Sequence, residues 1–437
     1  MKRRTWHSLR RQAEQWLAPG IGVKRWLGLV ILGTMLIGIG LAFLLLNVYR
    51  TAPETWWLPL LSTASLRFLP RWLRAVIFAG AGFLALGWGM WGLGRSLLVP
   101  FLRPGRPVVE TIAAYRLKER GPHVVAIGGG HGLATLLRGL KKYTHNISAV
   151  VTVADDGGSS GRLRRSLGIL PPGDIRNCLA ALSNDEALLT QLFQYRFPDS
   201  GSELDGHAFG NLFISAMTAI TGSFEEAIAE SGRVLSVHGR VLPATLRQVH
   251  LAAEVALPHQ TANVRVVGES RIPEMPGRIR RVWLEPEQPP AFPKAVQAIL
   301  AADMVVVGPG SLYTSILPNL LVPDIAAALR ATRAFRVFVC NVATQPGETD
   351  GFTCQDHLAV LEKHVGEGLF DMVVVNDKCE GKLPPGVTWV QVAPEEPLQY
   401  PVYRAALSDA EHPARHDAGV LAQALIRLLE ARTGPLG

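Results

Sequence analysis

Cysteine is scarce in this chain: four in 437 residues (Cys178, Cys340, Cys354 and Cys379), with no C-x-x-C pair. That argues against a disulfide framework and a cysteine-based metal site, and fits thiols kept reduced. Acidic residues are almost missing from the first 120 positions, which hold 17 Lys/Arg against 4 Asp/Glu, a balance of +13. The other 317 residues hold 27 against 32, a balance of −5, so the formal charge of +8 belongs to the N-terminal segment. Nucleic-acid binding by the larger part is therefore not expected. No internal repeat is present. The glycine loops have neither G-x-G-x-x-G spacing nor the lysine of a P-loop, which leaves an NAD-dependent oxidoreductase as the weakest reading.

Two stretches of the N-terminal segment lack charge altogether. Leu27–Val48 runs for 22 residues, roughly 33 Å as a helix, enough to span a bilayer's hydrocarbon. Ala75–Leu93 is a second uncharged run of 19 residues, and Trp26, Tyr49, Trp72 and Trp91 stand near the ends as interfacial anchors do. Lys2, Arg3, Arg4, Arg10, Arg11, Lys24 and Arg25 precede the first run, and Arg95, Arg103 and Arg106 follow the second. Arg50, Arg67, Arg71 and Arg74 lie between them. The excess on the outer flanks predicts two spans in the cytoplasmic membrane with both termini in the cytoplasm. Residues 1–104 are thus expected to form a membrane anchor with helices at about 27–48 and 75–93. Residues 105–122 would be a linker, and 123–437 a ligand-binding domain.

From His123 onward, short β-branched runs alternate with helical patterns. Val124–Ile127, Ala149–Val153, Met304–Val307, Val337–Cys340 and Met372–Val375 read as strands. Leu133–Tyr143, Ile175–Leu182, Lys294–Ala301, His357–Val365 and Gly419–Leu429 read as helices. The alternation predicts an α/β, Rossmann-like fold, with a mostly parallel sheet covered by helices on both faces. Val249–Val255, Val264–Val267 and Ile279–Leu284 look instead like a small antiparallel β-rich insertion.

The most informative motif is Gly128-Gly129-Gly130-His131-Gly132, between the run Val124–Ile127 and a helix marked by Leu133, Leu136, Leu137 and Leu140. A strand that breaks at glycines and restarts as a helix presents backbone N–H groups to a phosphate. Asp155-Asp156-Gly157-Gly158-Ser159-Ser160-Gly161 follows the next strand. Its carboxylates suit a hard cation or sugar hydroxyls; capping the next helix is the plainer alternative. Pro171-Pro172-Gly173-Asp174-Ile175-Arg176-Asn177 opens a helix with Asp174 placed as its N-cap, while Arg176 and Asn177 are candidates to face a ligand. Asn211, after Gly210, is a candidate to read a base or sugar edge, better than the lone His207. Gly308-Pro309-Gly310-Ser311, with Tyr313 just beyond, forms a second anion cradle. Asn341, Thr344, Gln345 and Glu348 crowd the loop after the following strand. Polar loops at the carboxyl ends of strands favour a nucleotide-like ligand.

These six ordered motifs closely resemble those of the YvcK group, the gluconeogenesis factors, which are related to CofD-type 2-phospho-L-lactate transferases. The likeness covers about residues 123–432. It implies a Rossmann-like fold that binds UDP-N-acetylglucosamine or a related nucleotide sugar and balances carbon flux with cell-wall synthesis and cell shape. It also implies that Gly129, Gly130, His131 and Gly132 line the nucleotide, with Asp155 and Asn211 nearby. Gly310 and Ser311 would hold phosphate, Thr344, Gln345 and Glu348 would close the site, and Arg415 would be a C-terminal ligand-contacting arginine; Gly308, Tyr313 and Asn341 are further ligand-binding candidates in the same loops. His131 stands where the group commonly has a small hydroxyl residue, and many members lack the two uncharged runs.

The leading expectation is a membrane-tethered sensor of a UDP-sugar, requiring no cofactor or metal and passing the ligand state to a protein partner; a homo-oligomer is compatible with it. The alternative is a phosphotransferase, in which Asp155, Asp156 or Asp174 would hold Mg²⁺ across a diphosphate while a substrate hydroxyl attacks phosphorus.

Overall fold

The computed structural model describes residues 121–434, apart from 184–186, 259, 261 and 396–397, together with scattered positions before residue 120. The chain divides into two compact units, Met1–Leu117 and Lys118–Gly437. Most of Leu27–Val48 and of the expected linker, and about half of Ala75–Leu93, lie outside the described residues; residues 34, 35, 38 and 42 of the first run and 76, 77, 80–84 and 86–88 of the second are helical. No single helix among the described residues is long and apolar enough to cross a membrane.

The second unit is built on one sheet of seven strands, all parallel: β1 (Val124–Gly128), β2 (Ile147–Val151), β3 (Arg240–Pro243), β7 (Met304–Val307), β8 (Phe335–Val339), β9 (Met372–Asn376) and β10 (Val402–Ala405). Their order across the sheet is β10-β9-β8-β7-β1-β2-β3. Central strands of such a sheet are covered on both faces, which is why β1 and β7 read as apolar runs, β2 does so apart from Ser148, and all three are buried throughout. The strand expected at Ala149–Val153 begins two residues earlier, because pairing with β1 runs from Val124↔Ile147 to Gly128↔Val151. Val153 and Ala154 are buried but lie beyond the ladder. The edge strands β3 and β10 have no counterpart in the sequence reading.

α1 (Gly130–Leu140) follows β1 directly and buries Leu133, Leu136, Leu137 and Leu140 completely. Each such side chain contributes about 1.5–3 kcal/mol on leaving water. α1 packs between α3 (Gly173–Leu182) and the last helix, α11 (Ala418–Thr433). The contact with α11 depends on Gly139: a Cβ there would lie within bonding distance of the Ala418 carbonyl. Gly inside a helix costs up to about 1 kcal/mol, and here it permits the approach that brings residues 414–416, just ahead of α11, beside α1. α7 (Pro293–Leu300) packs with α9 (Pro323–Ala331) and touches β2 and β3.

Between β3 and α7 the chain forms the expected antiparallel insertion, three strands in the order β5-β4-β6: β4 (His250–Ala256), β5 (Val264–Val267) and β6 (Arg278–Glu285). After β7 the backbone makes a π-helical turn, Leu312–Ile316, and a short helix α8 (Leu317–Leu320) that bends by 75° into α9. All nine residues from Leu312 to Leu320 are buried.

The candidate ligand cleft

β2 and β3 lie on one side of β1, and β7 to β10 on the other. The chain thus reverses direction across the sheet between β1 and β7, and a crevice opens outside the carboxyl ends of the strands at such a point. A cleft of about 490 Å³ is there, lined by the loops after β1, β2, β7 and β8 and by residues 414–416.

The glycine loop forms its floor. Gly129 is extended, at φ −169° and ψ −179°, and Gly130 is left-handed at φ +62°. Close neighbours explain the other glycines. A Cβ on Gly129 would lie 2.6 Å from Asp174 Oδ2, and one on Gly132 would lie 2.5 Å from the Pro309 carbonyl oxygen. The first of these contacts corrects the reading of Asp174. It does not cap its own helix: α3 begins at Gly173, and its N-cap, Pro172, supplies no side-chain bond. The carboxylate instead reaches across to accept the N–H of Gly130 at the start of α1.

Three carboxyl groups meet in this part of the cleft. Burial, then the charge of Asp155, pushes Asp174 up to about 7, against the opposing pull of the Gly130 N–H and Arg176. Burial also raises Asp155, whose Oδ1 accepts from Gly157 N at 2.9 Å. The third is Glu269, pushed up to about 8 by burial and then by Asp155 and Asp174. Glu269 comes from the loop after β5, and the neighbour of Asp155 places it. Asp156 Oδ1 accepts from Ser270 N at 2.9 Å, while Gly268 sits at φ +119° against Asp156 Oδ2. The two adjacent aspartates therefore have different tasks, one facing the cleft and one anchoring the insertion above it. Among the described residues no group of three or more His, Cys, Asp or Glu is arranged to hold a metal ion.

The opposite wall is cationic and amidic. Arg138 and Arg415 line the cleft, and neither is in an ion pair among the described residues. Burial and then Arg415 lower Arg138; burial, then Arg415, Arg176 and Arg138, lower His131 and favour its neutral ring. The loops after β7 and β8 are clamped together. Asn341 Nδ2 donates to Gly310 O at 2.9 Å, Gly310 N donates to Asn341 Oδ1 at 3.2 Å, and Gln345 Nε2 donates to Ser311 Oγ at 2.8 Å. Asn319 is wholly buried and joins this loop to the glycine loop, its Nδ2 donating to Gly128 O at 2.9 Å and Ser315 O at 2.7 Å.

Of the sequence-expected site residues, the fold gathers Gly129, Gly130, His131, Gly132, Asp155, Asp174, Gly310, Ser311, Asn341, Thr344, Gln345 and Arg415 around this one cleft. It sets others outside the lining. Tyr313 is 2% exposed, with its ring edge-on to His364. Glu348 is buried, which raises its pKa, and accepts from Thr314 Oγ1 at 2.9 Å and Tyr313 N at 3.2 Å, so it holds the π-helical turn. Gly308, at φ +82°, is tight against the Val339 carbonyl. Asn211 lies one layer behind Asp155: its Nδ2 donates to Ser159 Oγ at 3.0 Å and reaches Ser160 Oγ at 3.4 Å, and Ser160 bonds Asp155. The sequence reading missed Thr135, Arg138, Thr152, Glu269, Ser315 and His416, which line the cleft.

Known proteins place this architecture. The model of the CofD family, 2-phospho-L-lactate transferase CofD, matches residues 124–387. A putative gluconeogenesis factor from Nostoc is 49% identical over 372 residues, covering 83% of this chain and 79% of that protein. That is more of this chain than residues 123–437 could supply, so part of the N-terminal segment is shared. The gluconeogenesis factor of Bacillus subtilis is 53% identical over 258 residues, 59% of this chain and 79% of its own length. A crystal structure of a UPF0052 family protein from Bacillus halodurans superposes with a TM-score of 0.65 at 43% identity, covering 70% of this chain and 99% of that one. The chain belongs to the gluconeogenesis factors, proteins built on a CofD-family domain.

Proposed function

We propose that the cleft binds a nucleotide-linked sugar, UDP-N-acetylglucosamine or a close relative, and that the protein reports its occupancy to a partner from a membrane-tethered position. The observation that carries this reading is the pairing of two anion cradles across the β1–β7 crevice. The start of α1 and the Gly310-Ser311 loop face one space, with Arg138 and Arg415 on its wall. Backbone N–H groups, a helix N-terminus and unpaired guanidinium groups suit a diphosphate. The carboxyl groups of Asp155, Asp174 and Glu269 suit sugar hydroxyls, which donate to them. Tethering is supported by the two uncharged runs and by Phe83, Leu84 and Trp88, which are helical and 65%, 77% and 77% exposed, as lipid-facing side chains would be. Both termini would then lie in the cytoplasm.

The matched family model favours a second reading, transfer of a phosphoryl-linked group to an acceptor hydroxyl. Mg²⁺ across the diphosphate is part of that reading, but the carboxylates present form no metal-holding cluster among the described residues.

Calorimetric titration of the detergent-solubilised full chain with UDP-N-acetylglucosamine, with NAD as comparator, tests the proposal. Saturable binding with the sugar nucleotide left intact is expected. Arg138→Ala and Arg415→Ala should each weaken it about 10- to 100-fold, the worth of one hydrogen bond to a charged group. Absence of binding overturns the sensor reading. Release of a nucleoside monophosphate only when an acceptor alcohol is added establishes the transferase.

A further inference from the structure

Exposed apolar side chains gather on one part of the second unit. Eleven large ones are exposed among its described residues, and five of these, Leu188, Leu192, Tyr195, Leu204 and Ile220, lie between positions 188 and 220. Two helices carry most of them: α4 (Ala187–Gln194) and α5 (Phe209–Thr221). The helices pack together through Phe193, whose ring meets those of Phe209 and Phe213 edge-on. Leu188, Leu192 and Tyr195 follow at i, i+4 and i+7, one outward stripe along α4 and just past its end. On α5 the matching stripe is Ala216, Ala219 and Ile220, all exposed, with Leu212 and Phe213 half-buried. Leu188 and Ile220 are each 77% exposed. Neither helix contains Asp, Glu, Lys or Arg.

The other side of α5 supports the cleft. Asn211 and Ser215 are buried there, and Asn211 Nδ2 donates to Ser159 Oγ and reaches Ser160 Oγ, which bonds Asp155. One helix thus backs the cleft and carries the apolar face.

The lack of charge selects what covers this face. A transient foreign partner is steered and held in register by charges that complement its own, and α4 and α5 offer none. A helix that lies in a lipid surface carries Lys and Arg on its polar side, and these two helices have none. A second copy of the chain needs neither. Across a two-fold axis a patch meets itself, so charge near the axis would face its like, and homodimer interfaces are more apolar and depleted of charge. Ala216 lies mid-stripe, where a small side chain lets two helix axes approach to about 8 Å.

We infer that two copies of the chain pair through the α4–α5 face, with α5 against its counterpart across a two-fold axis near Ala216. The two helices present a face of roughly 20 by 20 Å. Each partner of a standard stable interface buries about 800 Å², so this pairing is weak and reversible.

The test is crosslinking of the full chain in intact cells with a short bismaleimide. Ala216→Cys should give a covalent dimer of twice the chain's mass, while the parent protein and Leu300→Cys, exposed at the end of α7, should not. Adding Ile220→Asp or Leu188→Asp to Ala216→Cys should lower the yield about 10-fold or more, since each copy loses a buried apolar side chain. Both positions are exposed in the single chain, so these variants keep the fold, which circular dichroism checks. No covalent dimer at Ala216→Cys overturns the inference. So does equal yield at Leu300→Cys, or a yield that both aspartate variants leave unchanged, because either means contact made elsewhere. A product joined to a different protein assigns the face to a foreign partner. Quenching of a fluorophore on Ala216→Cys by brominated lipid assigns it to a bilayer, and each of these results also overturns the pairing.

Discussion

The carboxylate of Asp174, on α3, accepts the backbone N–H of Gly130 at the start of α1. A negative group of the protein thus occupies part of the helix N-terminus that would receive the ligand's phosphate. When Asp174 is ionised, two anions compete for one set of donors. When it is protonated they do not. Glu269 and Asp155 sit close enough to raise one another, so the cleft holds protons at a pH where ordinary carboxyl groups have lost them.

Stability should therefore fall as pH rises through neutrality. Asp174 and Glu269 are pushed up to about 7 and about 8. The folded protein binds these protons more tightly than the unfolded chain does. Their contribution is complete below about pH 4 and is lost as pH climbs through 7 to 8. Asp174→Asn keeps an oxygen for the Gly130 N–H and removes the charge. The variant's advantage over the wild type should grow as pH rises from about 4, reaching about 2–4 °C in Tm at pH 8.5. A Tm at pH 8.5 equal to or below that of the wild type would contradict this account.

Ligand affinity should depend on pH in the same direction. A diphosphate placed near Asp174 and Glu269 raises their pKa values further, so binding takes up protons and strengthens as pH falls from 8.5 to 6.5. Calorimetry in two buffers of different ionisation enthalpy reads the proton count directly. Uptake is expected in the wild type and a smaller uptake in Asp174→Asn. Proton release on binding would show that the carboxyl groups ionise against the ligand, as they would around a bridging cation.

Much of this arrangement was legible in the sequence. The spacing of Leu133, Leu136, Leu137 and Leu140 located α1, and the same spacing, read on the other face, would have found more of the site. His131, Thr135 and Arg138 fall at i, i+4 and i+7 and all line the cleft. The insertion's three strands were visible because each alternates or runs apolar between Gly and Pro. β3 and β10 were not visible: each has four residues at a sheet edge, too short for a period. Glu269 carried no local signal, since only the contact of Asp156 with Ser270, 114 residues away, brings it to the cleft. Tyr313 and Glu348 belong to motifs that surround the site, yet the π-helical turn directs them into packing. A motif marks the loop and leaves open which of its side chains reaches the ligand.

The glycines of the first loop should differ sharply in tolerance. A Cβ at Gly132 would lie 2.5 Å from the Pro309 carbonyl oxygen and 3.0 Å from Gly310 Cα, both backbone. At Gly128 the nearest contact would be an ordinary 3.7 Å to Leu133 Cβ. Gly132→Ala should destabilise the domain by about 1–3 kcal/mol through forced displacement of the second anion loop, while Gly128→Ala should stay within about 0.5 kcal/mol. Urea titration of both variants makes the comparison. Equal midpoints would mean that the two loops are less closely joined than the contact indicates.

Asn319 is the link between those loops, and its loss should be felt in both stability and binding. It is 0% exposed, and its Nδ2 donates to the carbonyl that ends β1 and to that of Ser315 in the π-helical turn. Asn319→Ala removes both bonds, and although the Gly128 carbonyl keeps the N–H of Thr152 at 3.2 Å, the loss in a dry interior should cost about 1–3 kcal/mol. The urea midpoint should drop with the slope unchanged, since the surface exposed on unfolding is the same. Asn319→Asp should be worse, because an ionised carboxylate would face two carbonyl oxygens. Binding of UDP-N-acetylglucosamine should weaken in Asn319→Ala even at temperatures where the variant is fully folded, because the diphosphate needs both cradles at a fixed separation. Full affinity in a folded but destabilised Asn319→Ala would show that other contacts, the Gly132–Pro309 packing first among them, hold the two loops in register.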